Sequence, residues 1–458
     1  MASQEAKLKK VLGLGDTMGI AVGQIIGAGI MSLTGVAIGM TGTGVVMAFV
    51  LSSVFTLFKV MPTAVMGATI PTTGGFYRYS SRLLSPKLGF FWLLLFLVTN
   101  LTVALYALSF ADYLQSLFPT VPIKPVAFIM LTVFYVTNLV GVKVAAIAEK
   151  IMVVILVLSL GLFVAWGVPE VNYSVFNTRE MFPGGISGFL SAVALLSFAT
   201  GGAQYVAELG GEMKNPGRDI PLTIITTTIG VGILYALMAA VASSVLPVAD
   251  VANKPLTDVA RTILPGPLFI FFIIGGAMFA LATTLNAQLS WATKGILIAC
   301  EDGWLPKKLG TVSSKFGTPF WILTLFYLIG LIPIITGLSL KSIASLGSGI
   351  GFFANLIPLI AATQLPKKYP ELYEKSKFKF KPNNLRVIVV IAVILSLVQG
   401  YLLLKNLTAG LLVGVFIYIG CSAIYVMIAS KTRKLKTKED LGFSAEQEPE
   451  PPADVKVL

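Results

Sequence analysis

Gln24-Ile25-Ile26-Gly27-Ala28-Gly29-Ile30 stands in the middle of an apolar stretch that runs from about Gly15 to Ile38. Gly27 and Gly29, with Gly23 just before them, weaken a helix at its centre. In water this is a small fault. In a bilayer an unpaired backbone group costs several kcal/mol, so broken helix is tolerated only where it is buried or lines a cavity. The freed N–H groups of residues 27 to 30 would open a half-helix, where the dipole is positive and favours an anion such as a carboxylate. The same glycines also suit close packing of small residues between helices. The stretch by itself leaves both readings open.

The rest of the composition agrees with a membrane setting. Of 458 residues, 56% are hydrophobic and 12% charged, where a soluble domain carries about 25% charged residues. The mean hydropathy is +0.86. There is no histidine, which excludes imidazole proton relays and histidine-metal sites. Cys300 and Cys421 lie far apart inside apolar segments, so neither a disulfide framework nor a cysteine-metal spacing is present. Residues Met1 to Lys10 are basic and lack a small-residue cleavage site, which predicts an uncleaved first anchor.

A membrane helix needs about 20 mostly apolar residues. That length predicts about twelve spans, near 15–38, 43–69, 88–115, 122–141, 145–167, 185–211, 219–246, 266–299, 318–338, 342–365, 385–404 and 407–430. One set of alternate loops, with both termini, holds 27 Lys and Arg; the other set holds 6, and Lys59 is left inside a span. The excess predicts cytoplasmic termini in a multi-pass cell-membrane protein. It also accounts for the net charge of +13 without nucleic acid. The clusters Lys367–Lys381 and Lys431–Lys438 would lie against anionic lipid. The acidic, proline-containing tail from Glu439 to Leu458 is predicted to be disordered.

The sixth span breaks in its middle too, at Ala199-Thr200-Gly201-Gly202. Spans one and six lie five apart and enter from opposite sides. Interrupted segments at matching places in two halves point to inverted repeats with a site at their interface. The expected organisation is an N-terminus at 1–14, a transport core at 15–365 (repeats about 15–167 and 185–365), a basic loop with spans eleven and twelve at 366–430, and a tail at 431–458. Spans eleven and twelve would serve packing or oligomer contacts, with monomer and homodimer both open.

Four stretches carry a resemblance. Ile26-Gly27-Ala28-Gly29-Ile30 with Thr34-Gly35 resembles the first-helix signature of the amino acid–polyamine–organocation transporter superfamily. So does Pro71-Thr72-Thr73-Gly74-Gly75-Phe76-Tyr77-Arg78-Tyr79 after the second span, and so does Glu301-Asp302-Gly303-Trp304-Leu305-Pro306 after the eighth. The most specific match is Glu212-Met213-Lys214-Asn215-Pro216-Gly217-Arg218-Asp219-Ile220-Pro221 after the sixth. The likeness implies an all-α, five-plus-five inverted-repeat (LeuT-like) fold with broken helices 1 and 6. It implies carriage of amino acids or amines by alternating access, without a cofactor.

On that resemblance the N–H groups of Gly27, Ala28, Gly29 and Ile30 would hold the substrate α-carboxylate. Carbonyls of Ile25, Phe198 and Gly201 would hold its α-amino group. Ala199 and Thr200 belong to the same break, and Phe198 matches the family's aromatic gate. Side chains expected near the site are Ala28, Phe96, Asn100, Phe198, Gln204, Asn286 and Gln288. None is charged, which favours a neutral amino acid over a cationic one or a polyamine. A nutrient sensor that keeps the fold without flux is the alternative from another class. An intramembrane enzyme would need a nucleophile, an acid–base pair or a metal cluster, and no Gly-x-Ser-x-Gly elbow or paired acid is found in the spans.

The chain departs from the family's pattern where coupling would be set. Gly202-Ala203-Gln204 stands where the family usually has Gly-Phe-Glu. The fifth-span place where many members carry Lys falls near Ile155 and Leu156, and Lys150 reads as an end residue that reaches to the surface. The acid often found near the end of the second span is replaced by Val65 and Met66. Lys59 lies deeper in that helix, an expensive place for a charge, with Glu208 or Asp112 as expected partner. The coupling ion is therefore read two ways: a proton through Lys59 and Glu208, or sodium on the hydroxyls of Thr283 and Thr284, whose oxygens suit a hard cation.

Overall fold

The computed structural model describes residues 12–140, 142–176, 181–313, 318–405, 407–433 and 435. The basic N-terminus, Arg179, Lys315 and the acidic tail lie outside the described residues. The described residues are helices and connections, with isolated bridges and no strand. Eleven helices among them are long and apolar enough to cross a membrane, and Phe320–Thr336 is a shorter apolar helix that makes the twelfth. Their ranges follow the hydropathy reading closely.

The first span is three pieces, Leu14–Ile25, Ala28–Met31 and Leu33–Thr41. The sixth is the helix Gly185–Thr200, then extended backbone at Gly201, then a 3-10 segment Ala203–Glu208. Gly202 has φ +140°, a conformation that only glycine adopts without strain. The third span (Pro86–Thr99 and Thr102–Leu117) and the eighth (Gly266–Phe271, a π-helical turn Phe272–Met278, Phe279–Trp291 and Thr293–Glu301) are also interrupted. Spans one and six, and three and eight, are five apart, so the interruptions recur at matching places in the two halves.

The second span, Val45–Thr69, packs along the seventh, Pro216–Ser244, and against the sixth. The eleventh, Pro382–Leu404, packs on the tenth (Leu340–Ala354 and Leu356–Ala362) and on the second. The twelfth, Ala409–Thr432, turns Phe416, Ile417 and Ile428 outward. Such exposed apolar side chains are what a lipid-facing surface requires. Threonines inside spans return their hydroxyls to the carbonyl four residues back, as Thr227 and Thr228 do, so they add no unpaired polar group to the apolar interior.

On the face that carries the first described residues, the segments after spans two, six and eight are tied together. Leu12 N donates to the Glu212 carbonyl at 3.0 Å, and Lys214 N donates to the Leu12 carbonyl at 2.9 Å. Lys294 pairs with Glu212 at 3.0 Å. Tyr77 Oη donates to Asp302 Oδ2 at 2.8 Å. The Tyr77–Asp302 contact joins two of the stretches that carried the family resemblance, and a third, 212–221, is tied to Leu12 and to the eighth span.

Candidate functional site at the two helix breaks

The breaks of spans one and six face each other across a cavity of about 100 Å³. The amides of Ala28, Gly29 and Ile30 meet no acceptor among the described residues. Opposite them, the carbonyls of Phe198, Ala199 and Thr200 end their helix with no backbone donor among the described residues, and Gly202 N, which a continued helix would aim at Phe198, turns to Gln204 Oε1 at 2.9 Å. Free donors therefore stand on one side and free acceptors on the other. A helix N-terminus is electropositive and a C-terminus electronegative. The pair suits a small molecule that carries both an anionic and a cationic group.

Several expected side chains line this cavity: Ile25, Gly27, Ala28 and Gly29 from the first break, Phe198, Gly201 and Gln204 from the sixth, with Phe96 and Gln288. Phe198 stacks on Tyr106 at 6.4 Å between centroids. The Ile25 carbonyl already accepts from Tyr235 Oη at 3.0 Å. Span seven thereby braces the break with a hydroxyl, a contact the sequence reading missed.

Five expected residues stand back from the cavity. Ile30 is fully buried in the core, and Ala199 is spent on packing against Gly29. Thr200 points to the second span, its hydroxyl 2.8 Å from that of Thr56. Asn100 sits one layer out, where its Oδ1 accepts from Gln288 Nε2 at 2.8 Å and so aims the glutamine. Asn286 turns away altogether: its Nδ2 donates to Glu149 Oε2 at 2.6 Å and its Oδ1 accepts from Asn138 at 2.8 Å. On a helix, Asn286 and Gln288 lie about 200° apart, so one cavity could not hold both.

The reading also missed much of the wall. Trp291 lies over Tyr205 with ring centroids 3.9 Å apart, and its Nε1 donates to Gln24 Oε1 at 2.7 Å. Gly347, Ser348 and Gly351 of the tenth span also line it, with Phe352 and Asn355 of the same span. The run Gly347-Ser348-Gly349-Ile350-Gly351 was a usable signal, since small residues let a helix approach a cavity closely.

The coupling candidates are rearranged. Thr284 Oγ1 is 2.9 Å from each of three carbonyl oxygens, of Gly23, Ile26 and Ala280. Thr283 instead bonds its own helix, at the carbonyls of Phe279 and Ala280. The fifth span presents Glu149 and Val153 to Gly23, not Ile155 or Leu156: a methyl on Gly23 would lie 2.9 Å from Glu149 Oε1. Glu149 is 6% exposed, and its Oε1 has no hydrogen-bond partner. It escaped notice because it adjoins Lys150, which reaches outward to pair with Asp16.

Lys59 does not meet Glu208 or Asp112. Its Nζ donates to Gln399 Oε1 at 2.6 Å and lies 4.1 Å from the Phe352 ring centre. Glu208 is buried and caps a short helix, Gly75–Leu83, accepting from Phe76 N at 2.9 Å.

Residues 16–443 match the family described as "Amino acid permease". The chain belongs to the amino acid permease family. It is 28% identical to the branched-chain amino acid permease BcaP of Bacillus subtilis, with 91% of this chain and 94% of the relative covered. It is 24% identical to the lysine-specific permease LysP of Lactococcus lactis, covering 95% and 92%. It is 25% identical to a methylthioribose transporter of B. subtilis, covering 83% and 86%. As a permease the chain is an amino acid transporter and a multi-pass membrane protein of the LeuT-like fold, not an enzyme.

Proposed function

We propose that this permease carries a neutral amino acid by alternating access. The reading is carried by the opposed ends: among the described residues, unbonded N–H groups at Ala28 and Gly29 and the unbonded Phe198 carbonyl border one cavity. Every amino acid shares a carboxylate and an ammonium, so backbone reads those two groups and side chains read the rest. The lining of this cavity holds amides, hydroxyls, aromatics and small residues but no acid. A cationic amino acid or a polyamine would leave its distal charge without a counter-charge there, which costs more than it gains. The resemblance to a branched-chain permease agrees with a neutral substrate, while the lysine-specific and methylthioribose relatives show how far specificity ranges at this identity.

The transport core is assigned to residues 15–365, with both termini cytoplasmic by the lysine and arginine bias. For the coupling ion, the oxygens of Gly23, Ile26, Ala280 and Thr284 suit sodium: four acceptors converge with one hydroxyl proton among them. Thr283 would contribute only by giving up its bond to its own helix. Glu149 adds a buried carboxylate close by.

The test is uptake by purified protein in proteoliposomes, with thermal stabilisation by a panel of amino acids. A ligand of the folded state raises its melting temperature by mass action. Stabilisation and uptake of neutral amino acids are expected. Binding without flux would turn the reading to a sensor, and preference for arginine, lysine or a diamine would overturn the neutral assignment.

A further inference from the structure

A second cavity, of about 50 Å³, adjoins the first, and the two share Ser197, Gly201, Gln204, Phe352 and Asn355 as walls. Its remaining lining comes from the second, tenth and eleventh spans, with Phe76 of the short helix Gly75–Leu83, and includes Lys59 and Ser396. The eleventh span is therefore more than packing outside the repeat. It furnishes a wall of a chamber beside the substrate cavity.

The chamber is rich in donors and poor in negative charge. An ammonium has three N–H groups. Lys59 gives one to Gln399 Oε1 at 2.6 Å and lies over the Phe352 ring. Gln399 cannot swing away freely, since its Nε2 donates to Ser197 Oγ at 2.8 Å. No carboxylate pairs with Lys59 among the described residues, and none lines the chamber. The second independent observation is Ser396. It is 0% exposed and lines the same chamber, and its hydroxyl has no hydrogen-bond partner. A cation away from bulk water and an orphan hydroxyl are both costly unless something completes them.

We propose that this chamber is an anion subsite, in which Lys59 Nζ and Ser396 Oγ donate to a small, compact negative charge. Two sources offer that chemistry: the side-chain carboxylate of an acidic substrate whose head occupies the first cavity, or a halide from solution bound beside a neutral substrate. The volume suits either, because about 10–15 Å³ already holds one water. The inference rests on the transporter reading, since the subsite opens beside the substrate cavity.

The experiment uses the full-length protein in proteoliposomes at fixed sodium, with gluconate as the reference anion. Uptake of a labelled neutral amino acid is measured with gluconate replaced by chloride. In parallel, competition by glutamate and aspartate is compared with glutamine and asparagine. The expected result is a several-fold stimulation by chloride, or at least tenfold better competition by the acids than by their amides. Either effect is expected to vanish in Lys59→Met and to survive in Lys59→Arg. Stimulation without acid competition assigns the halide and keeps the neutral assignment; acid competition assigns the substrate carboxylate and replaces the neutral assignment with an acidic one. Wild-type uptake that is indifferent to chloride and to acidic side chains overturns the proposal, as does an effect undiminished in Lys59→Met. Should Lys59→Met not fold, melting of the wild type in sodium chloride against sodium gluconate decides it: a halide shift, or a larger shift with glutamate than with glutamine, supports the subsite, and equal melting overturns it. Neutral uptake without anion dependence sinks the subsite alone, whereas no amino acid uptake under any condition sinks the transporter reading itself.

Discussion

Gly29 of the first break lies directly against Ala199 of the sixth: a methyl group on Gly29 would sit 2.4 Å from both the Cα and the Cβ of Ala199. The obstacle includes backbone, so no rotamer change relieves it. The two broken helices touch here, and this contact sets the width of the cavity between them. Gly29→Ala is expected to push the breaks apart and reduce uptake by about a hundredfold or more, in line with misplacements of about 1 Å elsewhere. The check is uptake by purified variant, with membrane yield measured alongside. Activity within a few-fold of wild type would show that the breaks are compliant.

Gln204 Oε1 accepts from Gly202 N at 2.9 Å. Gln204→Glu keeps an acceptor at that point and is expected to keep transport. Gln204→Leu leaves a backbone donor unpaired, at a cost of about 1–3 kcal/mol, and is expected to lower both melting temperature and uptake. Equal behaviour of the two variants would mean that the amide does not hold the break.

Thr284 and Glu149 bear on the coupling ion. If sodium uses the oxygens around Thr284, uptake rises with sodium in the wild type. Thr284→Val removes that response. Glu149→Gln keeps an acceptor for Asn286 but loses the charge, and is expected to weaken sodium activation about tenfold, or about 1.4 kcal/mol. Sodium titration of uptake checks both; a flat wild-type curve removes sodium coupling.

Tyr77 Oη donates to Asp302 Oδ2 at 2.8 Å, outside the spans, and joins two of the recognised stretches. Tyr77→Phe is expected to cost about 1.5–3 kcal/mol, as for bonds to charged groups, read as a lower melting temperature. Burial, with the Asp302 charge behind it, pushes the Tyr77 hydroxyl well above its ordinary value. The folded state therefore holds this proton where the unfolded chain releases it. Its contribution is constant below about pH 10 and is lost as pH rises beyond that. Tyr77→Phe should flatten part of the alkaline fall in melting temperature, and an unchanged slope would argue against the bond.

The membrane class, the twelve spans and the two breaks were legible in the sequence because each rests on local chemistry. A run of apolar residues can only cross lipid as helix, and closely spaced glycines weaken a helix where they fall. Ile25, Gly27, Ala28, Gly29, Phe198 and Gln204 could be assigned to the cavity because they sit at or beside those interruptions, and because the family resemblance named Phe198 as its gate. Tertiary structure alone decided which way the remaining side chains face. Asn286 and Gln288 belong to one helix yet serve different neighbours. Glu149 could be placed beside Gly23 only once spans one and five were packed. Lys59 found Gln399, 340 residues away, not the acids that charge alone suggested. Charge complementarity names a class of partner, whereas contact across a bundle depends on helix rotation, and rotation is set by the packing of every neighbouring span at once.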